Sequence, residues 1–175
     1  MITSLSRISV IPATLALCLI LGCGQKKEKA DVTKKAEPPA EMEEIPALIM
    51  TTLKSKFPNA EIQKWAKEKE GDIFVYDIEF RQDGEKFEAD IKEDGAIHNW
   101  ERQVGANDLP EAVISSVMNK YLEVNFMEIM VITAVKDGID ELEGYEIVFE
   151  TPDNKEIEIM VAPDGEIIEE SAGEE

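Results

Sequence analysis

The stretches IPALIMTTLKSKF (45–57) and LPEAVISSVMNKY (109–121) are two spellings of one pattern. At a shift of 64 positions, Ile45, Pro46, Ile49, Leu53 and Phe57 fall on Leu109, Pro110, Val113, Val117 and Tyr121, so every apolar position stays apolar. Steps of four residues put these side chains on one side of a helix, and a proline in the first turn removes no internal hydrogen bond. Pro58 stops the first helix; Leu122 stands at the matching place in the second, which leaves that end less sharply marked.

The segments downstream of the two helices correspond as well. FVYDIEF, with Phe74, Tyr76, Ile78 and Phe80 alternating, matches GYEIVF, with Tyr145, Ile147 and Phe149, and period two means half-buried strands. Polar turns come next, RQDGEK at 81–86 and TPDNKE at 151–156. Then come FEADI and IEIMV, whose inward candidates are Phe87, Ala89, Ile91 and Ile157, Ile159, Val161. Second turns close both hairpins at 93–97 and 163–167, where Asp-Gly supplies the positive φ that a tight turn needs. VNFMEIMVITAVKD predicts a further strand after the second helix, and a strand around 62–67 is inferred after the first. DGIDELEG at 137–144 reads as an inserted acidic loop.

The expectation is an α+β protein of two tandem repeats, 45–104 and 109–170, joined by 105–108 and followed by an acidic tail, 171–175. Each repeat has one helix followed by about four antiparallel strands, with the helices packed on one face of the sheet. A unit of about 60 residues buries a marginal core, which favours two packing as one body.

LPEAVISSVMNKY leading to GYEIVFETPDNKEIEIMVAPDGEII resembles the PepSY-like family, also described as beta-lactamase-inhibitor-like domains. The shared pattern is a Leu-Pro opening a helix, Tyr-Glu-Ile in a strand, then an Asp-Gly turn followed by Glu-Ile; it spans about residues 45 to 170. Ile45 replaces the leucine in the first copy, and DGIDELEG departs from the pattern. The resemblance implies an exported, non-catalytic module of bacterial envelopes, often in tandem copies.

The N-terminus reads as an address. Residues 1–22 carry one charge, Arg7, ahead of an apolar run from about Ile8 to Leu21, the order of a secretory signal. ILGC at 20–23 is similar to a bacterial lipobox, which makes Cys23 the lipidated first residue of the mature protein. With Cys18 in the removed segment, no thiol remains for disulfide, zinc or nucleophilic work. Residues 23–44 read as the lipidated cysteine and a charged tether that holds the folded part on the order of 25 Å from the lipid. Gly24 after the cysteine points to the outer membrane, facing the periplasm.

Charge narrows the partners: 38 acidic residues against 18 lysines and arginines give a formal net charge of -20. Such a field repels phosphate backbones, so nucleic acid is excluded as a partner and the membrane is met through the lipid anchor only. No enzymatic signature is present. His98 is the only histidine, so a histidine-based metal site or a Ser-His-acid triad would rest on it alone. No cofactor is expected, calcium being the one candidate: Asp137, Asp140, Glu141 and Glu143 offer hard oxygens but break the EF-hand spacing. The favoured reading is a binding or inhibitory module whose partner is an unidentified envelope protein. Trp65 and Trp100 are its candidate anchors, and Gln82, Asp83, Asp153 and Asn154 form hairpin tips at one end of the sheet. The alternative is an envelope sensor that takes a cation or small ligand through the acidic loop and the open sheet face.

Overall fold

The structure, a computed structural model, describes residues 44–121 and 123–172. The signal segment, Cys23, the tether and Leu122 lie outside the described residues. From Ile45 onward the chain forms α1 (Ala47–Lys56), β1 (Glu61–Glu70), β2 (Ile73–Gln82), β3 (Glu85–Lys92), β4 (Ile97–Gln103), a single 3-10 turn at Ala106–Asp108, α2 (Glu111–Lys120), β5 (Asn125–Lys136), β6 (Ile139–Glu150), β7 (Glu156–Val161) and β8 (Ile167–Ala172).

These elements form where local chemistry directs them. Pro46 and Pro110 sit at the helix entries with φ of -56° and -58°, already close to helical values. Lys54 and Lys56 in the last turn of α1, and Lys120 in that of α2, complement the negative end of each helix. Strands are separated by turns of the expected kind: Asp83 and Gly84 both have positive φ, 55° and 91°, as a two-residue hairpin turn requires.

The expectation of an α+β protein made of two tandem repeats is corrected by the sheet. All eight strands pair as one antiparallel sheet in the order β1-β2-β3-β4-β5-β6-β7-β8, and the fold is mostly sheet with two ten-residue helices. The physical reason is the pairing of β4 with β5, from Asn99 opposite Ala134 to Gln103 opposite Met130, which leaves no free edge between the halves. DGIDELEG is also not a loop. Asp137 and Gly138 make a tight turn, with φ of 52° and 78°, and the rest opens β6, paired back onto β5 as far as Lys136 opposite Ile139.

Alternation along the strands sorts the two faces. Ile78, Phe80, Phe87, Ala89 and Ile91 meet Ile49, Leu53 and Phe57 of α1, whereas Ile129, Ile147, Phe149, Ile159 and Val161 meet Val113 and Val117 of α2. Trp100, which packs on the α1 cluster, stands opposite Thr133, two positions along β5 from Val131 of the α2 cluster, so both helices cover the same face. Among the described residues, the other face carries no helix.

Candidate functional site

The helix-free face is made by residues that alternate with the core. FVYDIEF puts Asp77 and Glu79 between core positions, FEADI does the same with Glu88 and Asp90, and β4 adds Asn99 and Glu101. The register then stacks them across strands. Asp77 lies directly opposite Asp90 and Asp90 opposite Asn99; Glu79 lies opposite Glu88 and Glu88 opposite Glu101. Directly opposed side chains on one face have Cβ atoms about 4.5–5.5 Å apart, and like charges so placed are unfavourable. Further along the same rows are buried Ile132 and Ala134 of β5. Asp90 is 0% exposed, and Asn99 and Glu101 are each 2% exposed.

Two lysines neutralise the edges of this carboxylate field. Lys64 Nζ donates to Glu79 Oε1 at 2.9 Å, and Lys86 Nζ donates to Glu128 Oε1 at 2.8 Å while lying 3.0 Å from Glu88 Oε1. Burial works against the charge of Lys86, but the hydrogen bond to Glu128 and the charge of Glu88 outweigh it and hold its pKa well above 10.5. A group whose pKa is raised on folding contributes stability fully below its unfolded value, and that contribution fades as pH rises through the folded value. Lys86→Met is therefore expected to cost about 1–2 kcal/mol in urea unfolding at pH 7, with an undiminished deficit from pH 6 to pH 9. A deficit that vanished in that window would show that the Lys86 ion pairs do not stabilise the sheet.

The sequence-predicted residues fall elsewhere. Trp65 and Trp100 pack against the α1 cluster, on the helix-bearing side, with Trp100 at 5.8 Å between ring centroids from Phe57. Both are partly buried there and lie on the side opposite the polar face. The tips 83–84 and 152–154 share one end of the sheet, yet about four strand spacings, or about 19 Å, separate them. The first tip is tied to the connection between α1 and β1, where Gln82 Oε1 accepts from the backbone N–H of Asn59 and Asp83 Oδ1 from Asn59 Nδ2, while the second is tied internally, Thr151 Oγ1 donating to Asp153 Oδ1. Asn154 takes the positive-φ position of its turn, at 59°. A shallow recess lined by Asn59, Glu61, Arg81, Asp83 and Gly84 lies beside the first tip.

The four candidate calcium ligands are not brought together. Asp140 Oδ2 pairs with Lys56 Nζ at 2.7 Å, and Glu141 Oε2 pairs with Lys136 Nζ at 2.9 Å. Strand alternation sends consecutive residues to opposite faces, and Asp137 belongs to the turn. Among the described residues, no group of three or more His, Cys, Asp or Glu is placed to hold a metal ion. His98 Nε2 lies 3.7 Å from Glu70 Oε2, a pairing that is ionic only when the imidazole is protonated.

Asn99, Asp77, Asp90 and Glu101 are what the sequence reading missed. The signal was available, because polar residues alternating with Ile78, Ala89 and Trp100 must share a face once the strands are neighbours.

No family model matches the sequence, and no curated protein matches it. Solved structures do share its fold. A BLIP-like protein from Bacteroides fragilis is 18% identical with a TM-score of 0.53, over 75% of this chain and 89% of that one. A DUF2874 family protein from Bacteroides uniformis is 16% identical with a TM-score of 0.59, over 73% and 89%. A protein from Bacteroides eggerthii described as periplasmic is 16% identical with a TM-score of 0.62, over 74% and 90%. At these identities the likeness concerns the fold: an antiparallel sheet of the BLIP-like kind. Among the described residues, no helix is long and apolar enough to cross a membrane.

Proposed function

We propose that this chain is a non-catalytic binding module of a bacterial envelope, held to the outer membrane by lipid on Cys23 and facing the periplasm, and that its partner is a protein docked on the helix-free face of the sheet. The observation that carries the reading is the asymmetry of the sheet, with both helices on one face and a continuous field of polar residues across β2, β3 and β4 on the other. The BLIP-like and periplasmic descriptions of proteins with this fold support the same reading, as does the PepSY-like pattern of the sequence.

The test is capture of envelope proteins by the full chain, tethered through its N-terminus, with and without calcium, followed by carboxylate footprinting of the complex. The expected result is one stoichiometric partner, recovered in both conditions, that protects Glu79, Glu88 and Glu128. Recovery only with calcium, or protection confined to the helix-bearing side, would overturn it.

A further inference from the structure

The arm formed by the end of β5 and the start of β6 runs past its neighbours. β6 pairs with β5 from Ile139 onward, but β7 joins it only at Tyr145, opposite Val161. Among the described residues, no strand pairs with 139–143 on that side, so the outward N–H and C=O groups there form an open edge. Two features mark its boundary. The register shifts between Ile132 and Thr133, which leaves Glu143 as an extra residue between Leu142 and Gly144 and bends the arm at that point. Gly144 is pressed against β7, where a Cβ would lie 2.7 Å from the Val161 carbonyl oxygen. Ile139, at 64% the most exposed large apolar residue described, and Leu142, at 50%, both lie on the open edge. Alternation puts Ile139 and Glu141 on one face of the arm and Asp140 and Leu142 on the other, so each face offers one apolar and one acidic side chain. Lys56 and Lys136 pair with Asp140 and Glu141, yet those carboxylates stay 41% and 52% exposed, and 136–143 carries four acids against one lysine.

We propose that this edge takes an extended segment of a basic partner protein as an added strand, one in which two consecutive lysines or arginines are flanked by apolar residues. Backbone hydrogen bonds to 139–143 supply the pairing, and the side chains supply the choice. Directly opposed positions match by kind: apolar beside Ile139, basic beside Asp140 and Glu141, apolar beside Leu142. That order reads the same in both directions, so it holds for a parallel or an antiparallel strand. A second copy of this chain fits badly, because it brings acid against acid and one body of formal charge -20 against another. The outer edge at β1 is a poorer host, since Lys64, Lys67 and Lys69 and a register shift between Ile62 and Lys64 guard it against added strands. The arm is separate from the polar field across β2, β3 and β4, so its occupant adds to the helix-free face and does not depend on it.

The experiment uses the full chain in detergent solution and two short fluorescein-labelled peptides, read by anisotropy at about 0.15 M salt. One peptide has the central order valine-lysine-lysine-valine and the other lysine-valine-valine-lysine, so composition and charge are identical. The expected outcome is tighter binding of the first by at least about fivefold, with slowed backbone amide exchange in 139–143 for that peptide alone. Ile139→Ser with Leu142→Ser, both at exposed positions, is expected to bring the two affinities within about twofold of each other, and thermal unfolding checks that the variant is folded. Equal affinities in the unaltered protein would mean that the peptides sense only total charge, and the proposal would be overturned. Protection on β1 or β8 in place of 139–143 would overturn it too. So would dimerisation of the chain that is lost in the double variant, since a second copy would then hold the edge. None of these results bears on protection of Glu79, Glu88 and Glu128, which tests the helix-free face on its own.

Discussion

Phe80→Ala is expected to lower the stability of the protein by about 3–5 kcal/mol, the range for emptying a buried aromatic site. Phe80 is fully buried at the foot of α1, with its ring centroid 4.9 Å from that of Phe57 and 5.5 Å from that of Phe87, the latter pair stacked. Phe57 ends α1 and Phe87 lies near the start of β3, so the truncation removes the packing that fixes the helix to two strands at once. Against a total of about 5–15 kcal/mol for a domain, this is a large fraction. Urea unfolding followed by tryptophan fluorescence is well placed to measure it, because Trp100 lies 6.4 Å from Phe87 in the same cluster. A loss below about 1 kcal/mol would mean that the aromatic group relaxes into the gap and is not the anchor of α1.

Gly165→Ala is expected to be nearly as damaging, and Gly84→Ala much less so. Both glycines have strongly positive φ, at 93° and 91°, so each substitution carries the backbone strain of an L-residue there, about 1 kcal/mol or somewhat more. Only Gly165 meets an obstacle. A Cβ at that position would lie 2.7 Å from the Ala112 carbonyl oxygen and 2.8 Å from Ser116 Oγ, both on α2, whereas a Cβ at Gly84 meets nothing within 4 Å. The β7–β8 turn is pressed against the helix backbone, and a methyl group there must push α2 away from Ile159 and Val161. The Gly165 variant should lose about 2–4 kcal/mol and the Gly84 variant about 1 kcal/mol. Equal losses would show that φ alone decides and that α2 has room to move.

Much of the architecture was legible because it is local. Four-residue steps from Ile49 to Leu53 and from Val113 to Val117 located both helices, and alternation bounded by Asp-Gly located the hairpins around Gly84 and Gly95. The two-repeat description failed at β4 and β5, since the pairing of Trp100 with Thr133 depends on which strands become neighbours and leaves no mark in either segment alone. DGIDELEG misled for a related reason. Its acids discourage a strand by composition, yet Asp137 and Gly138 supply the turn and β5 supplies the partner, so tertiary pairing overrides propensity.

The polar face was harder still. Asp77, Asp90 and Asn99 lie far apart along the chain, and each taken singly is an ordinary polar position on a half-buried strand. Only the register makes them a row. The tryptophans are ambiguous for the opposite reason, because large rings suit an interface and a core alike, and Trp100 is seated against Phe57 and Phe87.

The strand order also bears on how the molecule forms. Six of the seven strand pairings join segments linked by short turns, so each closes a small loop at little entropic cost and the average contact is close in sequence. The exception is β4 with β5, whose partners are separated by the 3-10 turn, α2 and their connections, and which is held by the run from Asn99 to Gln103. Hairpins on either side can zip independently on a microsecond scale. The seam between them must wait until α2 has folded back over the sheet, which makes the β4–β5 register the last to be set.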